Sequence, residues 1–243
     1  MTATLPDLFA ASEATWPAAR TWEQDGFTLR EGQGGGQRVS AATALGAVTE
    51  HQITAAEKAM QAIGQRPIFC ERGDTPQLDQ ALAARGYVIK DPTTLYVLPI
   101  ERLTDVEVPP VTAFSIWEPL AIMNEIWATD GIGQARRNVM ARAACKTGVL
   151  ARWNEQPAGA AFVAIHKAIC MVHGLVVLPH QRRQGVAEWM MRRAAFWGQS
   201  QGATHISVLC VDANAGATAL YRALGFEAVG GYHYRVLPDE RIK

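Results

Sequence analysis

A chain of 243 residues with 49% apolar side chains can bury a full core, and it exceeds the roughly 100 to 150 residues of a usual domain, so one large or two smaller domains are expected. Its 23 basic and 23 acidic side chains cancel, which removes the footprint of a general nucleic-acid binder but leaves room for local anion sites. Cys70, Cys145, Cys170 and Cys210 lie far apart with no C-x-x-C pair, so neither a zinc knuckle nor a disulfide framework is indicated and no metal is expected; with no signal-type start and no apolar run near 18 residues, the expected setting is cytoplasmic and off the membrane.

The first half reads as a helix over Asp7 to Trp16, hairpin strands over Gly26 to Glu31 and Gln37 to Thr43, a helix over Ile53 to Ile63, and a short strand over Pro67 to Cys70. The glycine-rich run Gly32 to Gly36 has alternating residues on both sides and no helix directly after it. A flexible hairpin turn is the reading, not a phosphate loop. Val106 to Pro110, V-E-V-P-P, interrupts any regular element and marks a boundary.

The second half reads as a strand over Thr112 to Trp117 and helices over Pro119 to Ala128 and Gln134 to Ala144. Strands follow over Gly148 to Trp153, Gly159 to His166 and Ile169 to Leu178, the first two separated by the turn signal Asn154-Glu155-Gln156-Pro157. A helix over Val186 to Gln201 stops at Gly202. After it come a strand over Thr204 to Val211, a helix over Ala215 to Leu224 and a strand over Phe226 to Leu237.

The halves repeat one another. Ala84, Gly86, Tyr87, Val97, Leu98 and Pro99 match Ala223, Gly225, Phe226, Val236, Leu237 and Pro238 at a constant interval of 139 positions. Order and spacing point to an internal duplication, with domains at 1–105 and 106–243.

The copies differ where chemistry is concerned. In the second, the apolar strand Leu175-Val176-Val177-Leu178 runs into Pro179-His180-Gln181-Arg182-Arg183-Gln184-Gly185 and then directly into a helix. The helix start presents unpaired N–H groups and a positive dipole end beside two arginines, and Gly185 lets the chain approach an anion closely. A pyrophosphate would fit there. The pattern R-x-x-G-x-A from Arg182 to Ala187, together with Asn214 followed by A-x-x-L-Y-x-x-L-G-F, resembles the acetyl-coenzyme A loop and final helix and strand of the GNAT superfamily of N-acetyltransferases. The resemblance covers about Val111 to Pro238. In the first copy Glu50-His51-Gln52 precedes the corresponding helix without glycine or arginine, and Leu82 stands at the position matching Tyr221, so that copy has the plan without the cofactor site.

The fold expected is therefore mixed α/β (α+β), two tandem GNAT-like domains, each a mostly antiparallel sheet flanked by helices. The resemblance implies acetyl-coenzyme A as cofactor and a small-molecule or peptide amine as substrate, in a monomer or homodimer. It places Leu175, Val176 and Val177 along the pantetheine arm, with a peptide N–H as oxyanion donor. The N–H groups of Arg182, Arg183, Gln184, Gly185, Val186, Ala187 and Glu188 would surround the pyrophosphate. Tyr221 falls where the superfamily's tyrosine acid stands, suited to a leaving thiolate whose conjugate acid titrates near 8.5. By the resemblance Asn214 contacts the cofactor arm; as a residue before an apolar run it caps its helix, and the two roles are compatible.

The general base departs from the pattern. Some members carry a glutamate five residues before the asparagine, where this chain has Leu209. His173 is the candidate to take the proton, against a plainly structural role. A missing strong base leans toward α-amines, with a reference pKa near 7.7 to 8.0, over lysine near 10.4. The acceptor groove, by resemblance, involves Trp117, Trp127, Asp130, Arg136, Arg137, Tyr232 and Tyr234. The rival reading is an acyl-coenzyme A sensor that transfers nothing, whereas a dinucleotide oxidoreductase fails for want of G-x-G-x-x-G.

Overall fold

The computed structural model describes residues 3–238. The chain divides into two compact units that do not follow the expected boundary at residue 106. One holds the residues up to Pro17, 95–210 and 214–230; the other holds 18–94, 211–213 and the described residues from 231 on. The reason is packing. Helix α1 (Leu5–Thr15) lies against strands of the second half, and the terminal strands of each half pair with strands of the other.

In the first unit, β6 (Ala113–Ile116), β7 (Cys145–Trp153), β8 (Gln156–His166) and β9 (Ile169–Val177) pair antiparallel in sequence order. β10 (His205–Val211) then joins β9 in parallel. Beyond β10 comes the part of β5 (Val88–Pro99) that belongs to this unit, and then the start of β11 (Glu227–Val236). Along β8 the side chains alternate: Ala161 and Val163 join the core of α6 (Val186–Ser200), while Phe162 between them meets Trp16 beside α1. α6 and α1 thus cover opposite faces. Gly198 lets α6 sit close, because a Cβ there would be 2.8 Å from Cys170 Sγ. Helices α4 (Ala121–Ala128) and α5 (Gln134–Arg142) follow β6, and α7 (Ala215–Ala223) follows β10.

In the second unit a tight hairpin joins β1 (Arg20–Gln24) to β2 (Phe27–Glu31) through Asp25 and Gly26, both at positive φ. This corrects the expected hairpin across Gly32 to Gly36. Gln37–Val39 forms a 3-10 turn, and on its other edge β2 meets the two-residue β3 (Thr43–Ala44). The polar, charged β1 lacks the apolar alternation that flags a strand. Helix α2 (Glu50–Ala62), β4 (Ile68–Glu71) and α3 (Pro76–Ala84) complete the unit, with 233–236 of β11 antiparallel to β4. Arg235 holds Asp79 through Nε and Nη2 at 2.7 and 2.6 Å, and His233 Nε2 lies 2.8 Å from the same carboxylate.

The order α2-β4-α3-β5 in the first half repeats as α6-β10-α7-β11 in the second. Both first helices are followed by a left-handed glycine, Gly64 and Gly202, and both second helices by another, Gly86 and Gly225.

Candidate active site

The site grows from a separation of two strands. β9 and β10 stay in register from Ile169↔His205 to Val172↔Val208 and no further, although β9 runs on to Val177. On its other edge β9 remains paired with β8, apart from a bulge that sets Gly174 and Leu175 against Ala161. From His173 to Val177 the edge toward β10 is therefore free of ladder partners, as an extended ligand arm would need. Leu175, Val176 and Val177 lie on that free edge.

β9 passes through Leu178 and the 3-10 turn Pro179–Gln181 to the start of α6. Arg183 and Gly185 both adopt left-handed backbone, at φ 59 and 81 degrees. Gly185 is the N-cap and has no side-chain capping bond. The first-turn N–H groups of Val186, Ala187 and Glu188 are thus left for an external acceptor, and the αL cap bends the chain around the place where it would sit. A Cβ on Gly185 would stand 3.8 Å from the indole nitrogen of Trp189.

The loop's side chains have distinct tasks. Gln184 binds the β7–β8 turn, accepting from Trp153 Nε1 at 2.8 Å and Asn154 Nδ2 at 3.3 Å. Arg182 turns back to the end of β9, its Nε donating to Val177 O at 3.0 Å, whereas Arg183 is exposed and makes no hydrogen bond among the described residues. The Glu188 carboxylate is drawn to Arg192 at 3.1 Å.

The contrast with α2 explains why one half alone has this opening. Thr49 caps α2 and closes a capping box with Gln52: Gln52 N donates to Thr49 Oγ1, and Gln52 Oε1 accepts from Thr49 N at 2.8 Å. Its Gln52 N–H is thus spent internally, and the acidic Glu50 sits in the first turn, where it disfavours an anion.

Asn214 is the N-cap of α7, accepting from Ala217 N at 3.0 Å, which leaves its amide N–H groups for other work. Tyr221 is 7% exposed, between Tyr96 and Phe226, with ring centroids 6.0 and 5.7 Å away. Burial, with the Cys210 thiol second, pushes its phenol well above its ordinary value, so it stays protonated at any working pH. Its hydroxyl has no hydrogen-bond partner among the described residues and is not fully occluded.

His173 is buried, its ring between Trp16 at 5.2 Å and Phe162 at 6.1 Å. Its Nε2 lies 2.9 Å from Thr15 Oγ1, and that hydroxyl already donates to Ala11 O at 2.6 Å. Thr15 must therefore accept, which fixes a ring hydrogen on Nε2.

The groove residues named from the sequence fall in both units. Trp127 is fully buried and donates to Gly174 O at 2.9 Å, fixing the bulge, while Trp117 is partly exposed with Lys146 Nζ 5.1 Å above its ring. Ile132 anchors the Asp130–Gly133 loop, its Cδ1 3.1 Å from where a Cβ on Gly174 would stand. Tyr232 and Tyr234 belong to the other unit, where Tyr234 is buried with Ala41 and Cys70. Tyr96 and Trp189 escaped the sequence reading. An aromatic in a strand or on a helix face looks like core, and only their neighbours distinguish them.

Among the described residues no group of three or more His, Cys, Asp or Glu side chains is placed to hold a metal ion, and no helix is long and apolar enough to cross a membrane.

The model of the acetyltransferase (GNAT) family matches residues 116–226, which carry every element of this site except α1 and β5. Among solved structures, a GCN5-related N-acetyltransferase from Kribbella flavida superposes with a TM-score of 0.73 at 20% identity, over 95% of this chain and 93% of the other. A conserved protein of unknown function from Staphylococcus epidermidis gives 0.68 at 14% identity, over 91% and 94%. A tandem GNAT protein from the clavulanic acid biosynthesis pathway gives 0.57 at 13% identity, over 97% and 88%. These likenesses show the fold. No curated protein matches the chain by sequence.

Proposed function

We propose that this chain, whose residues 116–226 form a domain of the acetyltransferase (GNAT) family, is an acetyl-coenzyme A-dependent N-acetyltransferase that passes the acetyl group directly to a primary amine of a small molecule or peptide. The observation that carries this reading is the uncapped start of α6 at left-handed Gly185, next to the stretch where β9 has left β10. Together they offer donors for a diphosphate and an open strand edge for the arm attached to it. The second half supplies the one working site, and the capped α2 leaves the first half without a counterpart.

The backbone of Gly185, Val186, Ala187 and Glu188 holds the diphosphate, with Arg183 adding charge. Asn214 Nδ2 and the free edge of Leu175, Val176 and Val177 hold the arm. A peptide N–H on that edge stabilises charge growing on the carbonyl oxygen. The amine nitrogen bonds to the acyl carbon, the C–S bond breaks with its electron pair on sulfur, and Tyr221 supplies the proton that sulfur takes up. Tyr221 is reprotonated from solvent. The nitrogen's surplus proton leaves through water or His173. With no carboxylate at Leu209, an amine already neutral in useful amounts is favoured, which points to an α-amine rather than a lysine side chain.

Calorimetric titration with acetyl-coenzyme A, longer acyl forms and NAD tests the binding, and coenzyme A release across an amine panel tests the transfer. The gap at Leu209 keeps a second reading, a non-catalytic acyl-coenzyme A sensor. Tyr221→Phe separates the two. For a transferase it slows turnover tenfold or more on the scale of general acid steps, with affinity unchanged; for a sensor no amine gives turnover in either protein.

A further inference from the structure

Tyr96 is the residue of the first half that the proposed chemistry leaves unused. It lies on β5, in the part grouped with the catalytic unit, and its main-chain oxygen accepts from Ser207 Oγ of β10 at 2.8 Å. Its side chain joins the core beneath α6 and α7, 4% exposed, 6.0 Å from the Tyr221 ring and tilted 40 degrees to it. Like that of Tyr221, its hydroxyl finds no hydrogen-bond partner among the described residues and is not among the occluded polar atoms. A hydroxyl enclosed with neither protein nor water is costly, and neither of these two oxygens is sealed off, so each is open to a partner from outside the protein. On the transferase reading the partner of the Tyr221 hydroxyl is the thioester sulfur.

We infer that Tyr96 is a second catalytic hydroxyl, donating a hydrogen bond to the departing sulfur alongside Tyr221, so that the active site of the second half is completed by a strand from the first. This rests on the transferase reading. Tyr221 carries the transferred proton, and Tyr96 only stabilises the charge on sulfur, so no further reactant enters the balance. Two donors on one thiolate lower the barrier to C–S cleavage and make the site prefer the ionised thiol.

The test uses the full chain and Tyr96→Phe, with coenzyme A and desulfo-coenzyme A as probes near pH 8.5, where a free thiol is about half ionised. Tyr96→Phe is expected to weaken coenzyme A about fivefold or more, to leave desulfo-coenzyme A unchanged, and to lower kcat about tenfold without altering KM for acetyl-coenzyme A. Its melting temperature should equal or exceed that of the parent, since the lost oxygen has no protein partner. Equal weakening of both probes, no change in either, or a markedly lower melting temperature would assign Tyr96 to packing alone. Failure of the unmodified protein to bind any coenzyme A form would instead overturn the transferase reading on which the inference stands.

Discussion

Replacing Gly185 by Ala separates backbone strain from loss of the anion seat. At φ 81 degrees an L-residue pays about 1–2 kcal/mol, and the nearest heavy atom to the new Cβ is Trp189 Nε1 at 3.8 Å, an ordinary contact that adds no clash. For a protein of this size about 1 kcal/mol lowers the melting temperature by about 2–4 °C. On the proposed function the methyl group also enters the space where a phosphate oxygen would meet the first-turn N–H groups. Losing one such charged hydrogen bond costs about 1.5–3 kcal/mol, a tenfold to hundredfold drop in affinity for acetyl-coenzyme A. Gly202→Ala is the matched control, since Gly202 has φ 88 degrees with nothing within 4 Å of its Cβ position at the far end of the same helix. Scanning calorimetry should find similar destabilisation in both variants, and titration should find weakened binding in Gly185→Ala alone. Equal binding by both would show that the opening of α6 is not where the diphosphate sits.

Thr15→Val removes the acceptor for His173 Nε2–H in a buried setting and should cost about 1–3 kcal/mol in urea unfolding, against near neutrality for Thr15→Ser. The Asp79 carboxyl is held below its ordinary value, first by the hydrogen bond from Arg235 and then by His233, against opposing desolvation. A depressed folded pKa means stabilisation that is complete above the unfolded value of about 3.9 and lost as pH falls through the folded one. Asp79→Asn should therefore be less stable at pH 7, and the two unfolding curves should converge toward pH 3; a gap that stays constant down to pH 3 would contradict the ion pair.

Much of the second half was legible because its signals are local. Gly202 and Gly225 end helices where an αL residue is needed, and the meander before the loop shows in alternation and turn residues from Gly148 onward. The first half was less legible. β1 is nearly all polar or charged, and Gly32 to Gly36 looked more like a hairpin turn than Asp25-Gly26 did. At the site, Asn214 as a cap followed from its place before an apolar run, but the use of Arg182 to hold Val177 O did not.

The order of helices and strands, their ends and the exposed glycine before α6 were set by near-neighbour sequence, because capping, turn geometry and side-chain periodicity act within a few residues. Which strands pair across the halves, which nitrogen of His173 keeps its hydrogen and which tyrosine stands beside Tyr221 depend on residues more than a hundred positions apart, such as Thr15 with His173 and Tyr96 with Tyr221. Such contacts exist only after the chain has packed. No local pattern along it announces them.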